Sequence, residues 1–180
     1  VGTMRAIFSE DDEKFELEEF TDLPKIFSRR DQIIEIGRAA TSPEYRRSDL
    51  WYSMVQHISI MAVQAGRPYG VVSTTPNLVK MYEKLGFRNT GDSYLHPLYP
   101  NQLQLVMTIN IYDVLPAKNV GPIVWNVVWK DVADYLLENK IGDLSRSRSS
   151  KANLYRALAP TAFVKDYYVR RPRRVKTRTA

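Results

Sequence analysis

Apolar residues follow two different periods in the first part of the chain. Residues 1–8 and 33–41 are short segments rich in β-branched side chains, and they predict two strands. Between about residues 49 and 65 the apolar side chains recur every three or four positions, which predicts an amphipathic helix. Gly66 follows, at a position where a left-handed residue commonly ends a helix.

The next part of the chain repeats this alternation. Residues 69–74 and a segment starting at Phe87 predict strands, and residues 103–111 predict a longer strand because apolar residues alternate along it. Between them, residues 75–85 begin with Thr-Pro, which suits the first turn of a helix, and Gly86 ends that helix. Strands that alternate with helices in this order predict an α/β fold with one mixed sheet.

Beyond the last predicted strand the pattern changes. Residues 124–137 place apolar side chains at helical spacing, and residues 152–159 predict one more short helix. Serine and arginine dominate residues 145–150, which is typical of a flexible joint. These features divide the chain into a core, a helical extension and a basic, partly disordered tail: 1–114, 115–144 and 145–180.

Charge is distributed unevenly along the 180 residues, whose formal net charge is +6. Residues 1–144 hold 15 Lys and Arg against 19 Asp and Glu, whereas residues 145–180 hold 11 against 1. A segment this basic binds an anionic partner or remains solvated. We therefore expect the tail to contact nucleic acid, an acidic protein or a membrane surface.

Composition excludes several classes of protein. The chain has no cysteine and two histidines, so disulfides, cysteine nucleophiles and thiolate metal sites are excluded, and we expect no metal centre. An apolar content of 44% excludes a wholly disordered chain. We find no apolar run of about 18 residues and no signal-peptide pattern at the start, so we expect a cytoplasmic protein without a transmembrane segment.

Two segments resemble parts of the GNAT superfamily of acetyltransferases. The strand at 35–41 with the turn at 42–50 is similar to that family's strand, pyrophosphate loop and helix. The helix end Tyr82-Glu-Lys-Leu-Gly-Phe87 is similar to its Tyr-x-Lys-Leu-Gly-Phe segment and follows at a comparable spacing. The resemblance covers residues 1–114. It implies a mixed, mostly antiparallel sheet flanked by helices, which a helical, basic extension follows here.

One branch of the superfamily is more similar than the ordinary acetyltransferases. Glu35-x-x-Arg38 resembles the Glu-x-x-Arg of acyl-homoserine-lactone synthases and N-acyl amino acid synthases, and Gly2-Thr-Met-Arg5 resembles the Gly-Thr-x-Arg strand of the latter. The resemblance implies a donor thioester carried by acyl carrier protein. It also implies that the core is incomplete at its N-terminal side, because the family has further strands and helices before Gly-Thr-x-Arg.

The turn before the long predicted helix is the candidate donor site. Backbone N–H groups at a helix N-terminus attract anions. The common acetyltransferase loop has glycines where this chain has Arg47, Asp49 and Trp51, which favours the single phosphate of a carrier-protein arm over coenzyme A pyrophosphate. Alternatively, the arginines are solvated turn residues and Asp49 is a helix cap. The expected donor-binding residues are Thr41, Arg46, Arg47, Ser48, Asp49, Leu50 and Asn77.

Three residues are candidates for catalysis. Glu35 lies in an apolar strand, where burial would raise its pKa into the range of a useful general base. Strict alternation puts Arg38 on the opposite face of that strand, and a bulge would bring both side chains to one cleft. The resemblance implies that Tyr82 protonates the leaving thiolate. The alternatives are a structural ion pair for Glu35 and Arg38, and core packing for Tyr82.

An acceptor or acyl pocket has weaker candidates. His96 lies in an aromatic, proline-rich loop before the last strand, and a loop histidine can equally be a surface or packing residue. Trp51, with Trp125 and Trp129, could line an acyl pocket or belong to the core.

These residues predict an N-acyltransferase that moves an acyl group from a carrier-protein thioester to an amine, with an amino acid as one candidate acceptor. Acyl-coenzyme A is the second choice of donor, and we expect no tightly bound cofactor. The alternative is a non-catalytic module with the acyltransferase fold, whose basic tail binds nucleic acid or an acidic protein.

Overall fold

One five-stranded sheet organises the part of the chain that the structure describes. This computed structural model describes residues 2–9, 14–45, 49–98, 102–142 and 149–157. The strands are β1 (Gly2–Ile7), β2 (Ile33–Thr41), β3 (Tyr69–Thr74), β4 (Arg88–Leu95) and β5 (Leu103–Asn110). Their order in the sheet is β1-β2-β3-β5-β4. Only the β2–β3 pair is parallel, so the predicted mixed, mostly antiparallel sheet is confirmed.

The predicted helices are present, with three short additional ones. The helices are α1 (Leu23–Ile26), α2 (Leu50–Gln64), α3 (Val79–Leu85), α4 (Ile111–Val114), α5 (Pro122–Val124), α6 (Lys130–Glu138) and α7 (Ser150–Ala157). A π-helical turn at Trp125–Trp129 joins α5 to α6, and we call the continuous element helix 122–138. Four 3-10 turns lie at Glu16–Glu19, Arg30–Gln32, Pro43–Tyr45 and Pro76–Leu78.

The larger core lies on the side of the sheet covered by α2, α3 and helix 122–138, which we call the helix face. The apolar stripe predicted for α2 supplies its buried Ile58 and Ala62. Trp125 and Trp129 are fully buried in the same core, and each indole N–H donates to backbone carbonyl oxygens at 3.0–3.1 Å. Helix 122–138 therefore shares one core with the sheet, and the division at residue 114 stays a prediction.

A smaller core lies on the opposite side of the sheet, which we call the Glu35 face. Residues 14–27 cross this face and bury Phe15, Leu17 and Leu23 against the sheet. Because both faces are covered, neighbouring residues of one strand are buried together, as Val106 and Met107 are in β5. The expected alternation of β5 is therefore interrupted.

Two details differ from the sequence prediction. Ile111 begins α4 instead of extending β5, because the Asn110 side chain accepts the Tyr112 N–H at 3.0 Å and starts a helix there. Predicted tail residues 158–180 and most of the joint at 145–150 lie outside the described residues. Within the described residues, every helix is too short or too polar to cross a bilayer.

Gly66 and Gly86 end α2 and α3 in the left-handed region, with φ of +72° and +102°, as predicted. An alanine Cβ at Gly66 would meet no atom within 4 Å, whereas at Gly86 it would overlap the Val114 side chain. We expect Gly66→Ala to lower the free energy of unfolding by about 1 kcal/mol through backbone strain alone.

We expect Gly86→Ala to lower the free energy of unfolding by about 3 kcal/mol, because backbone strain and overpacking against Val114 both contribute. Urea denaturation of both variants measures this difference. Equal losses would show that Val114 yields without cost and would contradict a rigid contact between α3 and α4.

Candidate functional site

The parallel strands β2 and β3 part in the middle of the sheet. Their paired residues are Ile33 with Tyr69, Ile34 with Gly70, and Glu35 with Val71. Beyond Glu35, β2 continues beside β1 and β3 continues beside β5, without further pairing to each other. This split opens the sheet from Glu35 toward the C-terminal ends of both strands.

Glu35 lies where the split begins, and its side chain points to the side of the sheet that residues 14–27 cover. Its residue is 8% exposed, and its carboxylate accepts the backbone N–H of Leu17 at 3.2 Å. Burial raises the pKa of Glu35 above 4.5, the nearby Glu16 carboxylate raises it further, and the hydrogen bond from Leu17 partly opposes the shift. The group is thus a buried carboxyl with a raised pKa, as a general base requires.

The bulge that the sequence analysis required is present in β2. A two-residue step of β1, from Thr3 to Arg5, opposes a three-residue step of β2, from Ala40 to Gly37. Within this step Arg38 adopts a φ of +51°, which is uncommon for a residue with a Cβ. The extra residue turns Arg38 toward the Glu35 face.

On that face, Glu16 links the two arginines to the surroundings of Glu35. One Glu16 carboxylate oxygen pairs with Arg5, and the other lies 3.4 Å from the Arg38 guanidinium. Leu17, whose N–H binds Glu35, is the next residue in the chain. The Arg38 side chain is 70% exposed, and such a surface pair contributes little to stability, so its guanidinium remains accessible to a ligand.

Tyr94 and Ser73 belong to this site, and sequence reasoning missed both. Burial raises the pKa of Tyr94, the Glu35 charge raises it further, and a hydrogen bond with the Ser73 side chain opposes the shift. The Tyr94 ring stacks on Phe20, with centroids 4.7 Å apart and planes within 9°. Ser73 lies in β3, Tyr94 in β4 and Phe20 directly after the 3-10 turn Glu16–Glu19, and no local motif links them.

A narrow apolar cavity of about 20 Å³ lies on the helix face of the same sheet. Ile34 and Ile36, the neighbours of Glu35, line it together with Trp51, Tyr82 and other apolar side chains. The Trp51 and Tyr82 rings meet edge to face at 6.3 Å. The structure therefore brings these two predicted residues together, on the opposite side of the sheet from Glu35.

Both aromatic residues carry polar atoms inside this apolar region. Tyr82 is 7% exposed, and burial raises its pKa, which keeps the hydroxyl protonated. It also packs against Phe87, as the core interpretation predicted. The Trp51 indole N–H is buried and finds no acceptor among the residues described, so a ligand oxygen could bind it.

The expected donor residues lie at the open end of the split, as far as the structure describes them. Thr41 ends β2, Leu50 begins α2, and the exposed Asn77 lies in the turn after β3. Asp49 precedes α2, but its side chain makes no capping hydrogen bond to the helix, so the alternative that Asp49 is only a helix cap is not supported. Arg46, Arg47 and Ser48 lie outside the described residues, so their role stays a prediction.

His96 lies apart from the cavity and from Glu35. Its imidazole Nδ1 accepts the Leu98 backbone N–H at 3.1 Å, and the His96 backbone N–H donates to the Gln102 carbonyl at 3.0 Å, within the β4–β5 hairpin. The expected role in an acceptor pocket stays a prediction. Trp125 also lies outside the cavity lining, whereas Trp129 belongs to it. Among the described side chains, no cluster of three or more His, Asp or Glu is placed to bind a metal ion.

The raised pKa of Glu35 makes folding depend on pH in a defined direction. Folding favours its protonated form, so the wild type loses stability as pH rises from the unfolded pKa, about 4.3, through the folded pKa. Glu35→Gln keeps an oxygen for the Leu17 N–H and should lack this loss. Urea denaturation between about pH 4 and pH 8 measures the difference between the two proteins.

The exposed Glu19, changed to Gln, is the matched control and should follow the wild type across the same pH range. A Glu35→Gln curve parallel to that of the wild type would show that Glu35 is not destabilised by burial.

One protein family and several solved structures are similar to parts of this chain. Residues 1–110 match the family described as N-acyl amino acid synthase FeeM. No curated protein sequence matches the chain at a significant level.

Three solved structures are similar to part of this chain. A Lactobacillus plantarum protein assigned as an N-acetyltransferase has 21% identity and a TM-score of 0.41, and the match covers 46% of this chain and 54% of that one. The CoA-dependent acyl-homoserine lactone synthase MesI has 19% identity and a TM-score of 0.47, over 61% and 56%. TofI in an apo form has 16% identity and a TM-score of 0.47, over 67% and 66%.

This chain therefore spans between about half and two thirds of each of those proteins. The family match covers well over half of this chain and includes Gly2-Thr-Met-Arg5, Glu35 and the split between β2 and β3. On this evidence the chain belongs to the FeeM family of N-acyl amino acid synthases.

Proposed function

We propose that the protein is an N-acyltransferase that joins the acyl group of a thioester to the amino group of an amino acid. Acyl carrier protein is the proposed donor and acyl-coenzyme A the second choice. The observation that carries the proposal is the buried Glu35 at the start of the split, with an apolar cavity on the opposite face of the same strand.

The geometry separates the two substrates. Ile34 and Ile36 point into the cavity, and Glu35 between them points to the other face, because successive side chains of a strand alternate. A thioester in the split would have its acyl chain on the helix face. Its carbonyl carbon would be open to an amine on the Glu35 face.

The proposed reaction needs one base and one acid. The Glu35 carboxylate removes a proton from the amine, whose nitrogen attacks the thioester carbonyl carbon. The C–N bond forms and the C–S bond breaks, and the leaving thiolate takes the proton of the Tyr82 hydroxyl. The protonated Glu35 then releases its proton, and solvent returns one to Tyr82. The Trp51 indole N–H, buried without an acceptor among the described residues, would donate to the carbonyl oxygen as it becomes negative.

Arg38 supports an amino acid as the acceptor. Its accessible guanidinium lies in the same cluster as Glu35 and suits an α-carboxylate, which an ordinary amine lacks. The stacked Phe20 and Tyr94 rings form an apolar wall on that face, beside the proposed amine position.

The open end of the split supports delivery of the donor by a long arm. Thr41, Leu50 and Asn77 surround this end, and the exposed Asp49 at the start of α2 would repel a pyrophosphate. A single phosphate with Arg46 and Arg47 as charge partners is the proposed arrangement.

We expect Glu35→Gln to lower kcat for amide formation by about 100- to 10,000-fold, because the amine then loses its base. Acyl thioesters of coenzyme A and of carrier protein are mixed with the common amino acids, and acyl-amides are detected by mass spectrometry. The wild-type rate should rise with pH through the raised pKa of Glu35. Glu19→Gln should keep the wild-type rate, and near-normal turnover by Glu35→Gln would remove Glu35 from the mechanism.

We expect the double variant Arg46→Ala/Arg47→Ala to raise the apparent KM for the donor more than it lowers kcat. The increase should shrink at high salt, where exposed charges are screened. The exposed Arg29 changed to Ala, in the segment before β2, should leave the donor KM unchanged. A donor KM that the double substitution does not alter at low salt would contradict a role in phosphate binding.

A further inference from the structure

One side of the apolar cavity is lined by an element that the family match does not include. Most of its lining comes from the sheet, α2 and α3, all within or beside residues 1–110. Among the described residues that line it, Trp129 alone comes from helix 122–138. That side chain is therefore a feature of this chain beyond the matched region.

Trp129 is held in one position. It is 1% exposed, and its indole N–H donates to the Leu85 carbonyl at 3.0 Å. The π-helical turn around it is also held, because the Gln56 side-chain amide donates to the carbonyls of Val127 and Val128, both at 3.1 Å. The ring therefore forms a fixed wall, unlike a flexible side chain that a ligand could push aside.

The rest of the cavity suits a hydrocarbon and little else. The Ser59 hydroxyl, in its lining, already donates to the Val55 carbonyl at 2.8 Å. The remaining volume of about 20 Å³ accommodates roughly one water-sized group. A methyl terminus could enter this space, but a longer chain would meet the Trp129 ring.

We propose that Trp129 sets the length of the acyl chain that the protein accepts. The inference rests on the proposed function, in which the acyl chain lies on the helix face of the split. Each methylene of an acyl chain that reaches as far as the Trp129 ring is buried, and each one raises the affinity about fourfold. A longer acyl chain gains no further burial and must displace core residues, so the affinity falls sharply beyond one chain length.

Three variants test this assignment. Trp129→Phe shortens the wall, and Val55→Leu narrows the cavity from α2, where Val55 is only partly buried. Trp125→Phe is the matched control, since Trp125 is equally buried in the same π-helical turn and bonded through its indole N–H, but lies outside the cavity lining.

Two series are measured for each protein. One is kcat/KM for thioesters whose acyl chains are fully hydrogenated and of increasing length. The other is the Kd of the matching free fatty acids, measured by calorimetry, which requires no catalysis. We expect Trp129→Phe to move the optimum to longer chains, with about a fourfold gain for each methylene newly accommodated. Val55→Leu should move it to shorter chains, and Trp125→Phe should leave it in place.

Each outcome decides between the two proposals. Amide formation with an unchanged length preference in Trp129→Phe and Val55→Leu overturns the role of Trp129 and leaves the proposed function standing. Shifted fatty-acid preferences without amide formation support the role of Trp129 and contradict the proposed function. An equal shift in Trp125→Phe means general loosening of the core and overturns the assignment. If Trp129→Phe does not fold, the direction of the Val55→Leu shift decides.

Discussion

The parting of β2 from β3 after the Glu35–Val71 pair is the constraint on which the rest of the structure depends. A parallel pair that ends in mid-sheet leaves the two strands unpaired beyond that point, and Glu35 is the last residue of β2 to pair with β3. The bulge at Arg38 bends the same strand toward β1, where its remaining residues pair. The site is therefore a consequence of how two strands diverge.

Keeping a carboxyl at this position requires a cover on the Glu35 face. Residues 14–27 provide it with buried Phe15, Leu17 and Leu23, and Leu17 also donates its backbone N–H to Glu35. The cover thus buries the acid enough to raise its pKa, yet supplies one hydrogen bond that keeps the charged form attainable. One short segment performs both tasks because its apolar side chains and its backbone face the same strand.

The helix face of the sheet differs from the Glu35 face, because no carboxyl group among the described residues is buried in its core. Its core is mainly apolar, and helix 122–138 completes it with Trp125 and Trp129. Trp125 and Trp129 are the first and last residues of the π-helical turn, and both lie in the core. Gln56 bonds the carbonyls of that turn, so a polar side chain of α2 holds an irregular backbone in place.

The sequence by itself determined the strands and the main helices. β-branched residues at 33–41, the apolar stripe of α2, and the glycines that end α2 and α3 act through neighbours in the chain, so local patterns were sufficient. The Glu35 and Arg38 pair was also recognisable, because its spacing is local. The tertiary structure decided which distant residues join them, since packing that leaves no spacing in the sequence brings Glu16 and Tyr94 near Glu35 and joins Ser73 to Tyr94. It also decided that Trp129 lines the cavity and Trp125 does not, because the elements packed around each buried side chain determine which of them borders a cavity, and helical periodicity does not record those neighbours.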